Sequence, residues 1–384
     1  MELFNVYPLY DITPVKAQGL EVIDDTSKTY LDLYGGHAVI SIGHSHPHYV
    51  KRLGDQLQQM GFYSNAVQNP LQQQLADKLG KLSGCADYHL FLCNSGAEAN
   101  ENALKLASFH TGRSEVIAFK NGFHGRTSAA VAATDNPAIN APLNQQQKVH
   151  FIEFGDLVSL EALLKTEKNC ALIFECIQGI GGLDEPSTEF LQEAARLCEK
   201  YDTLLIADEV QSGYGRTGDF FAFQKHGITP HIIPMAKGMG NGFPIGGILI
   251  HPDIKASFGL LGTTFGGNHL ACAAGLAVLE VLENEKLLAH TQKISSYFVE
   301  KAQEIPAIKN IKGRGLMLGL EFDFEVAPLR KALIFEQRIF TGSAKNKNLL
   351  RILPPLTITK AQVDTFFVAL AKALAATPAT GIEQ

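Results

Sequence analysis

From residue 89 onward, short unbroken apolar runs alternate with longer stretches in which apolar residues recur at every third or fourth position. The first pattern is that of strands buried on both faces, and the second is that of helices laid over them. Runs at 89–93, 115–119, 170–174, 203–207 and 231–235 predict five strands, with helices expected at 95–110 and 186–200. The implied class is α/β: a mostly parallel sheet covered by helices on both sides. Ahead of it, residues 20–33 alternate as a hairpin does, and helices are expected at 47–60 and 65–82. Behind it come a strand at 246–250 and one long helical pattern from His269 to Glu304, stopped by Pro306. Strands at 316–322 and 349–355, with helices near 326–336 and 359–376, then predict a smaller α+β domain.

A chain of 384 residues exceeds what one core usually serves, which accords with a large domain plus a small one. A formal charge of -6 without a Lys/Arg cluster argues against a nucleic-acid partner. The N-terminus has neither the basic start nor the apolar core of a signal peptide, and no apolar run reaches membrane-spanning length. The chain therefore reads as cytoplasmic, with no membrane association. Six scattered cysteines form no C-x-x-C pair and are expected to be buried free thiols. His44, His46 and His48 alternate in a way that invites a metal reading, but no carboxylate or cysteine stands beside them in the sequence. They are read as a turn before a helix, and no metal is expected.

Asp208 and Glu209 follow one apolar run at once, and Lys237 follows another inside the glycine-rich AKGMGNG. A lysine on such a turn, with a carboxylate at the end of a nearby strand, is what pyridoxal 5'-phosphate chemistry needs. The amine holds the cofactor covalently, the acid keeps its ring nitrogen protonated, and glycines admit a flat ring. A solvated lysine and a helix-capping acid would explain either residue alone, but explain the pair behind two buried strands less well. Ser95, Gly96 and Ala97 make a small-residue turn at a helix N-terminus, suited to a phosphate and equally to an ordinary cap by Ser95. Phe123 lies between two glycines, where it could stack on a ring or serve as core, and Arg126 could grip a carboxylate.

Glu175 puts one more carboxylate at a strand's end. In an open α/β sheet the ligand crevice lies beyond the carboxyl ends of the strands, so these five segments converge on one site. Arg351, inside an apolar strand, is costly to bury unpaired; a substrate carboxylate or a structural salt bridge would each satisfy it. GYGRTG at 213–218 matches G-x-G-x-x-G but lacks the strand before and the helix after that a dinucleotide fingerprint requires. It is read as a loop, and a nicotinamide-dependent dehydrogenase is kept as the rival from another class.

The segments NSGAEANE, FHGRT, ECIQGIGG, ADEVQSGYGRTG, AKGMGNGFPIGG, GTTFGGN and LLRILPP occur in the order and spacing seen in class III aminotransferases. The chain resembles that family of fold-type-I pyridoxal-phosphate enzymes over nearly its whole length, and FHGRT with the short N-terminal segment is most similar to the acetylornithine branch. The resemblance implies a large cofactor-binding domain at 46–268, a connecting helix at 269–305 and a small domain at 306–384 joined by the N-terminal segment 1–45, which would also make dimer contacts. It implies Lys237 as the cofactor-bearing lysine, Asp208 against the ring nitrogen, Gln211 on the ring hydroxyl and Phe123 on the ring face. Ser95, Gly96 and Ala97 would hold the phosphate, with Thr264 reaching the phosphate of the neighbouring subunit in a homodimer with shared sites. Arg126 and Arg351 would take substrate carboxylates, with Glu175 beside them.

The implied reaction moves the terminal amino group of an N-acylated ornithine, N-acetylornithine first, to 2-oxoglutarate in arginine biosynthesis. N-succinylornithine, ornithine, lysine or 4-aminobutyrate are the alternative donors. Three positions depart from the family pattern: Ile180 stands where a glutamate is common, and His37 and His269 stand where apolar residues or proline are expected.

Overall fold

A computed structural model describes residues 1–376. The chain opens with an antiparallel meander of β1 (Pro14–Gln18), β2 (Glu21–Asp24) and β3 (Thr29–Asp32), so the expected hairpin carries one additional strand. The central sheet comprises β4 (His89–Cys93), β5 (Glu115–Phe119), β6 (Val149–Ile152), β7 (Asn169–Phe174), β8 (Leu204–Ala207), β9 (Ile232–Met235) and β10 (Gly246–Ile250). Its order is β4-β10-β9-β8-β7-β5-β6. Strands β5 to β9 pair in parallel, while β10 runs antiparallel to both β9 and β4. With β10 reversed between them, β4 points the same way as β9, and the carboxyl ends of six strands share one edge. β5, β7, β8 and β9 are buried at every position, which is why their sequences show no polar alternation.

The helix Gly96–Thr111 crosses this sheet on a run of small buried residues, Ala99, Ala103 and Ala107, that bring its backbone close to the strands. The expected helix at 65–82 begins instead at Pro70, with the Asn69 side chain capping Leu71 N at 3.1 Å. Residues 65–69 form a loop tied by Asn65 and Asn69 to the carbonyls of Gly266 and Gly267. The long helix expected from His269 to Glu304 is two, His269–Asn284 and Leu287–Gln303, broken at Lys286 in the left-handed region at φ 52°. The cause is visible in VLENEKLL: buried Leu282 and Leu287 are five residues apart, which takes the apolar stripe off one helical face.

In the C-terminal part, β11 (Asn310–Arg314), β12 (Met317–Glu321), β14 (Gly342–Ser343) and β15 (Leu349–Ile352) form an antiparallel sheet in the order β11-β12-β15-β14. β13 (Ile339–Phe340) pairs in parallel with β3, so both ends of the chain share a sheet. The helices Ala327–Phe335 and Lys360–Ala376 pack over this part; the terminal stretch 377–384 of the expected 306–384 unit lies outside the described residues. All six cysteines are free and buried. Among the described residues no helix is long and apolar enough to cross a membrane.

The glycine-rich 213–218 segment is a loop without a following α-helix, and its Arg216 donates to the carbonyls of Leu316 and Pro354, stitching the sheet to the C-terminal strands. Burial pushes that guanidinium down to about 9. The three alternating histidines each have a separate acidic partner: Asp32 for His44, Glu285 for His46 and Glu280 for His48.

Candidate active site

The carboxyl ends of β4, β5, β7, β8 and β9 open on a cavity of about 270 Å³ lined by Gly96, Ala97, Phe123, Glu175, Asp208 and Lys237. A larger hollow of about 560 Å³ beside β4 is lined by Asn65, Gln72 and Gln73 and contains no lysine or carboxylate. Chemistry rather than size therefore selects the smaller one.

Asp208 N donates to Phe174 O at 2.8 Å, continuing the β7–β8 ladder one step and carrying the carboxylate just past the sheet edge. Its Oδ2 accepts from Asn100 Nδ2 and His124 Nδ1, both at 2.7 Å, and its Oδ1 accepts from Val210 N at 3.0 Å. Asn100 also donates to His124 O at 2.7 Å, so one amide fixes both the acid and its histidine. Neither Asn100 nor His124 was singled out in the sequence; both sit inside motifs, NSGAEANE and FHGRT, that were. The adjacent Glu209 turns away, accepting from Phe223 N at 2.9 Å and Ser212 Oγ at 2.7 Å, and burial pushes it up to about 7. Of the two neighbouring acids, Asp208 alone lines the cavity.

Lys237 adopts the left-handed φ of 45°, and its amine forms no hydrogen bond or ion pair among the described residues. Burial lowers its proton affinity and Arg351 adds to the effect, against the pull of Asp208 and Glu175. Glu175 is committed to backbone: it accepts from Phe123 N and Gly179 N, each at 2.9 Å. It thereby ties the loop after β5 to the loop after β7, and burial, reinforced by Asp208, raises its pKa.

Gln211 donates through Nε2 to His37 O at 3.3 Å, while its buried Oε1 has no partner among the described residues. Ser95 caps the helix by accepting from Glu98 N at 3.2 Å; Gly96 and Ala97 line the cavity, and their N–H groups precede the first intrahelical bond at the dipole's positive end. A Cβ on Gly96 would come within 2.5 Å of Val210, another lining residue. Arg126 lines the cavity, is exposed and has no hydrogen bond or ion pair among the described residues.

Arg351 lies outside the lining and is buried. It donates to Gly179 O at 2.8 Å, to Tyr34 Oη at 3.2 Å and to Ser343 O, with no carboxylate in ion-pair reach among the described residues. Thr264 is exposed and outside its own chain's cavity.

These groups fit pyridoxal 5'-phosphate on their own chemistry: an unbonded amine, a fixed carboxylate, an orphaned amide oxygen and a helix N-terminus around one hollow.

The chain matches the sequence profile described as aminotransferase class-III over residues 5–374. It is 39% identical over 370 residues to the acetylornithine aminotransferase of Bacillus cereus, covering 94% of each chain. It is likewise 39% identical to that of Bacillus subtilis, covering 97% of each. Among solved structures, it superposes on an ornithine aminotransferase from Toxoplasma gondii with a TM-score of 0.89 at 28% identity, covering 97% of this chain and 92% of that one. An (S)-enantioselective omega-transaminase from Thermomicrobium roseum gives 0.86 at 26%, covering 97% and 96%.

Proposed function

The chain belongs to the class III aminotransferases, pyridoxal-phosphate-dependent enzymes, and from that premise we propose that it moves the terminal amino group of N-acetylornithine to 2-oxoglutarate. The products are the semialdehyde and glutamate, and the reaction belongs to arginine biosynthesis. One observation carries this reading: two guanidinium groups near Lys237, those of Arg126 and Arg351, have no acidic partner among the described residues. An acylated ornithine offers its free carboxylate and 2-oxoglutarate offers two, and the acylornithine carboxylate and the far carboxylate of 2-oxoglutarate both give a charged handle away from the carbon that reacts. The acetylornithine aminotransferases aligned along almost the whole chain support the same donor.

The cofactor, when bound, supplies an aldehyde that accepts the amino group and a ring that stores electrons. Asp208 would keep a proton on the ring nitrogen, and Asn100 and His124 hold that carboxylate in place. Gly96 and Ala97, beside the capping Ser95, would hold the phosphate, Gln211 Oε1 is available for the ring hydroxyl and Phe123 for a ring face. Lys237 would hold the cofactor through its amine, and the same amine would be placed to take up and return a proton at the substrate carbon bearing nitrogen. Arg126 and Arg351 orient substrate carboxylates, and Glu175 keeps the two loops beside them in register.

We carry the homodimer, the cytoplasmic setting and the division at 45, 268 and 305 as part of the proposal; the β3–β13 pairing supports a small domain built from both chain ends. The test is to mix the purified enzyme separately with N-acetylornithine, N-succinylornithine, ornithine, lysine and 4-aminobutyrate, without 2-oxoglutarate, and follow the cofactor's visible absorbance. Fast bleaching by N-acetylornithine, followed by glutamate release when 2-oxoglutarate is added, is the expected result. Faster bleaching by another donor would reassign the substrate.

A further inference from the structure

His37, unexplained by the sequence, lies on an unusual piece of backbone. Gly35, Gly36, His37 and Ala38 all have φ between 54° and 68°, a left-handed run in which two members carry side chains. Such a run is costly for residues that carry a Cβ and persists where the surroundings fix it. Here it is fixed at both ends of the histidine: His37 O accepts from Gln211 Nε2 at 3.3 Å, and His37 Nδ1 meets Tyr34 Oη at 2.5 Å. Tyr34 Oη in turn accepts from Arg351 Nη2 at 3.2 Å, and the guanidinium carbon lies 5.7 Å from the centre of the Tyr34 ring. That oxygen accepts from arginine, so the tautomer with His37 Nδ1 unprotonated lets Tyr34 donate its own proton to the imidazole. Burial, with the cations Arg351, Lys237 and Arg330 nearby, pushes the imidazole's pKa down, which favours the neutral form this bond needs. A slot has been left for the tyrosine: a Cβ on Gly342 would come within 2.3 Å of its ring.

Resting on the proposed function, we infer that Tyr34 and His37 are positioning residues that hold Arg351, through neutral oxygen and nitrogen acceptors instead of a carboxylate, ready to receive a substrate carboxylate. An acidic partner would compete with the substrate for the guanidinium; Tyr34 orients it without neutralising it. Three of its five N–H groups are bound by Ser343 O, Gly179 O and Tyr34 Oη, which leaves two for an incoming anion. The device therefore bears on how tightly carboxylates bind.

The test uses the cofactor-loaded enzyme and glutarate, a dicarboxylate that cannot react, with binding read from the cofactor's absorbance. Tyr34→Phe keeps the ring in its slot and removes the hydroxyl. It is expected to weaken glutarate roughly tenfold and to raise the KM for 2-oxoglutarate similarly, with kcat changed less than about threefold. His37→Ala should weaken glutarate in the same direction. His37→Asn should restore binding toward wild type, since asparagine tolerates a left-handed φ and offers Oδ1 as the acceptor. If the wild type binds glutarate and Tyr34→Phe binds it equally well, the clamp is overturned and the functional reading stands. If the wild type does not bind glutarate, Arg351 is no carboxylate anchor and both fall. If His37→Asn binds no better than His37→Ala, the hydrogen bond from Tyr34 is not what matters and the assignment to His37 is wrong.

Discussion

Lys237 is the residue whose surroundings determine most. Burial takes water from its amine and Arg351 opposes a second positive charge, while Asp208 and Glu175 pull the other way without prevailing. Only the neutral amine attacks an aldehyde, and depressing its pKa enlarges the reactive fraction at neutral pH. Capture of pyridoxal phosphate by cofactor-free enzyme should therefore speed up with rising pH through a midpoint below 10.5, measured by stopped-flow absorbance. A midpoint at or above that value would describe a solvated lysine. Borohydride reduction of the wild-type holoenzyme should leave the cofactor's mass on the peptide containing Lys237. Lys237→Ala should fold and bind cofactor without covalent capture, and a reduced adduct on a different lysine of that variant would remove the assignment.

The loop 178–182 after β7 shows how an element can be constrained by the site it borders. A Cβ on Gly179 would meet Gln211 Oε1 at 2.0 Å, the far end of a flexible side chain, so Gly179→Ala should turn Gln211 aside without disturbing the fold. The expected outcome is roughly tenfold weaker cofactor binding in an absorbance titration, with an unchanged urea midpoint; unaltered binding would separate Gln211 from the cofactor. None of this crowding could be read from ECIQGIGG, because it is set by a residue 32 positions away. What could be read were features carried by local pattern: the fully buried strands β5, β7, β8 and β9, and the chemical residues standing just beyond them. β6 was missed because VHFI is a four-residue run interrupted by His150 that follows a polar stretch, and its parallel partner β5 lies 30 residues upstream. The break at Lys286 was legible in the five-residue gap between leucines but was outweighed by helix-forming residues on both sides. Asn100 and His124 escaped notice because their value lies in a shared contact with Asp208 that brings together three separate segments.

At the scale of the whole molecule, the strongest pointer to a second copy is exposed apolar surface beside Thr264, which lies outside the cavity of its own chain. Phe62, Tyr63 and Phe265 are 44%, 58% and 60% exposed, and the rings of Phe62 and Phe265 lie 5.3 Å apart. Leu57 and Met60, on the same stretch, are exposed as well. A patch of this kind on a folded chain is expected to be covered. Thr264 sits next to it, exposed and outside the cavity of its own chain, where a two-fold partner could use it. If Thr264 serves the partner's phosphate, Thr264→Glu should repel the cofactor from the neighbouring site while leaving its own Lys237 intact. Lys237→Ala and Thr264→Glu should then each be inactive alone as homodimers. Refolded together, their hybrids contain one site with an intact lysine in one chain and an intact threonine from the other. Random pairing would restore about a quarter of wild-type activity, because half the dimers are hybrids and each has one competent site. No recovery, with hybrids demonstrated by native mass spectrometry, would mean that each chain completes its own site.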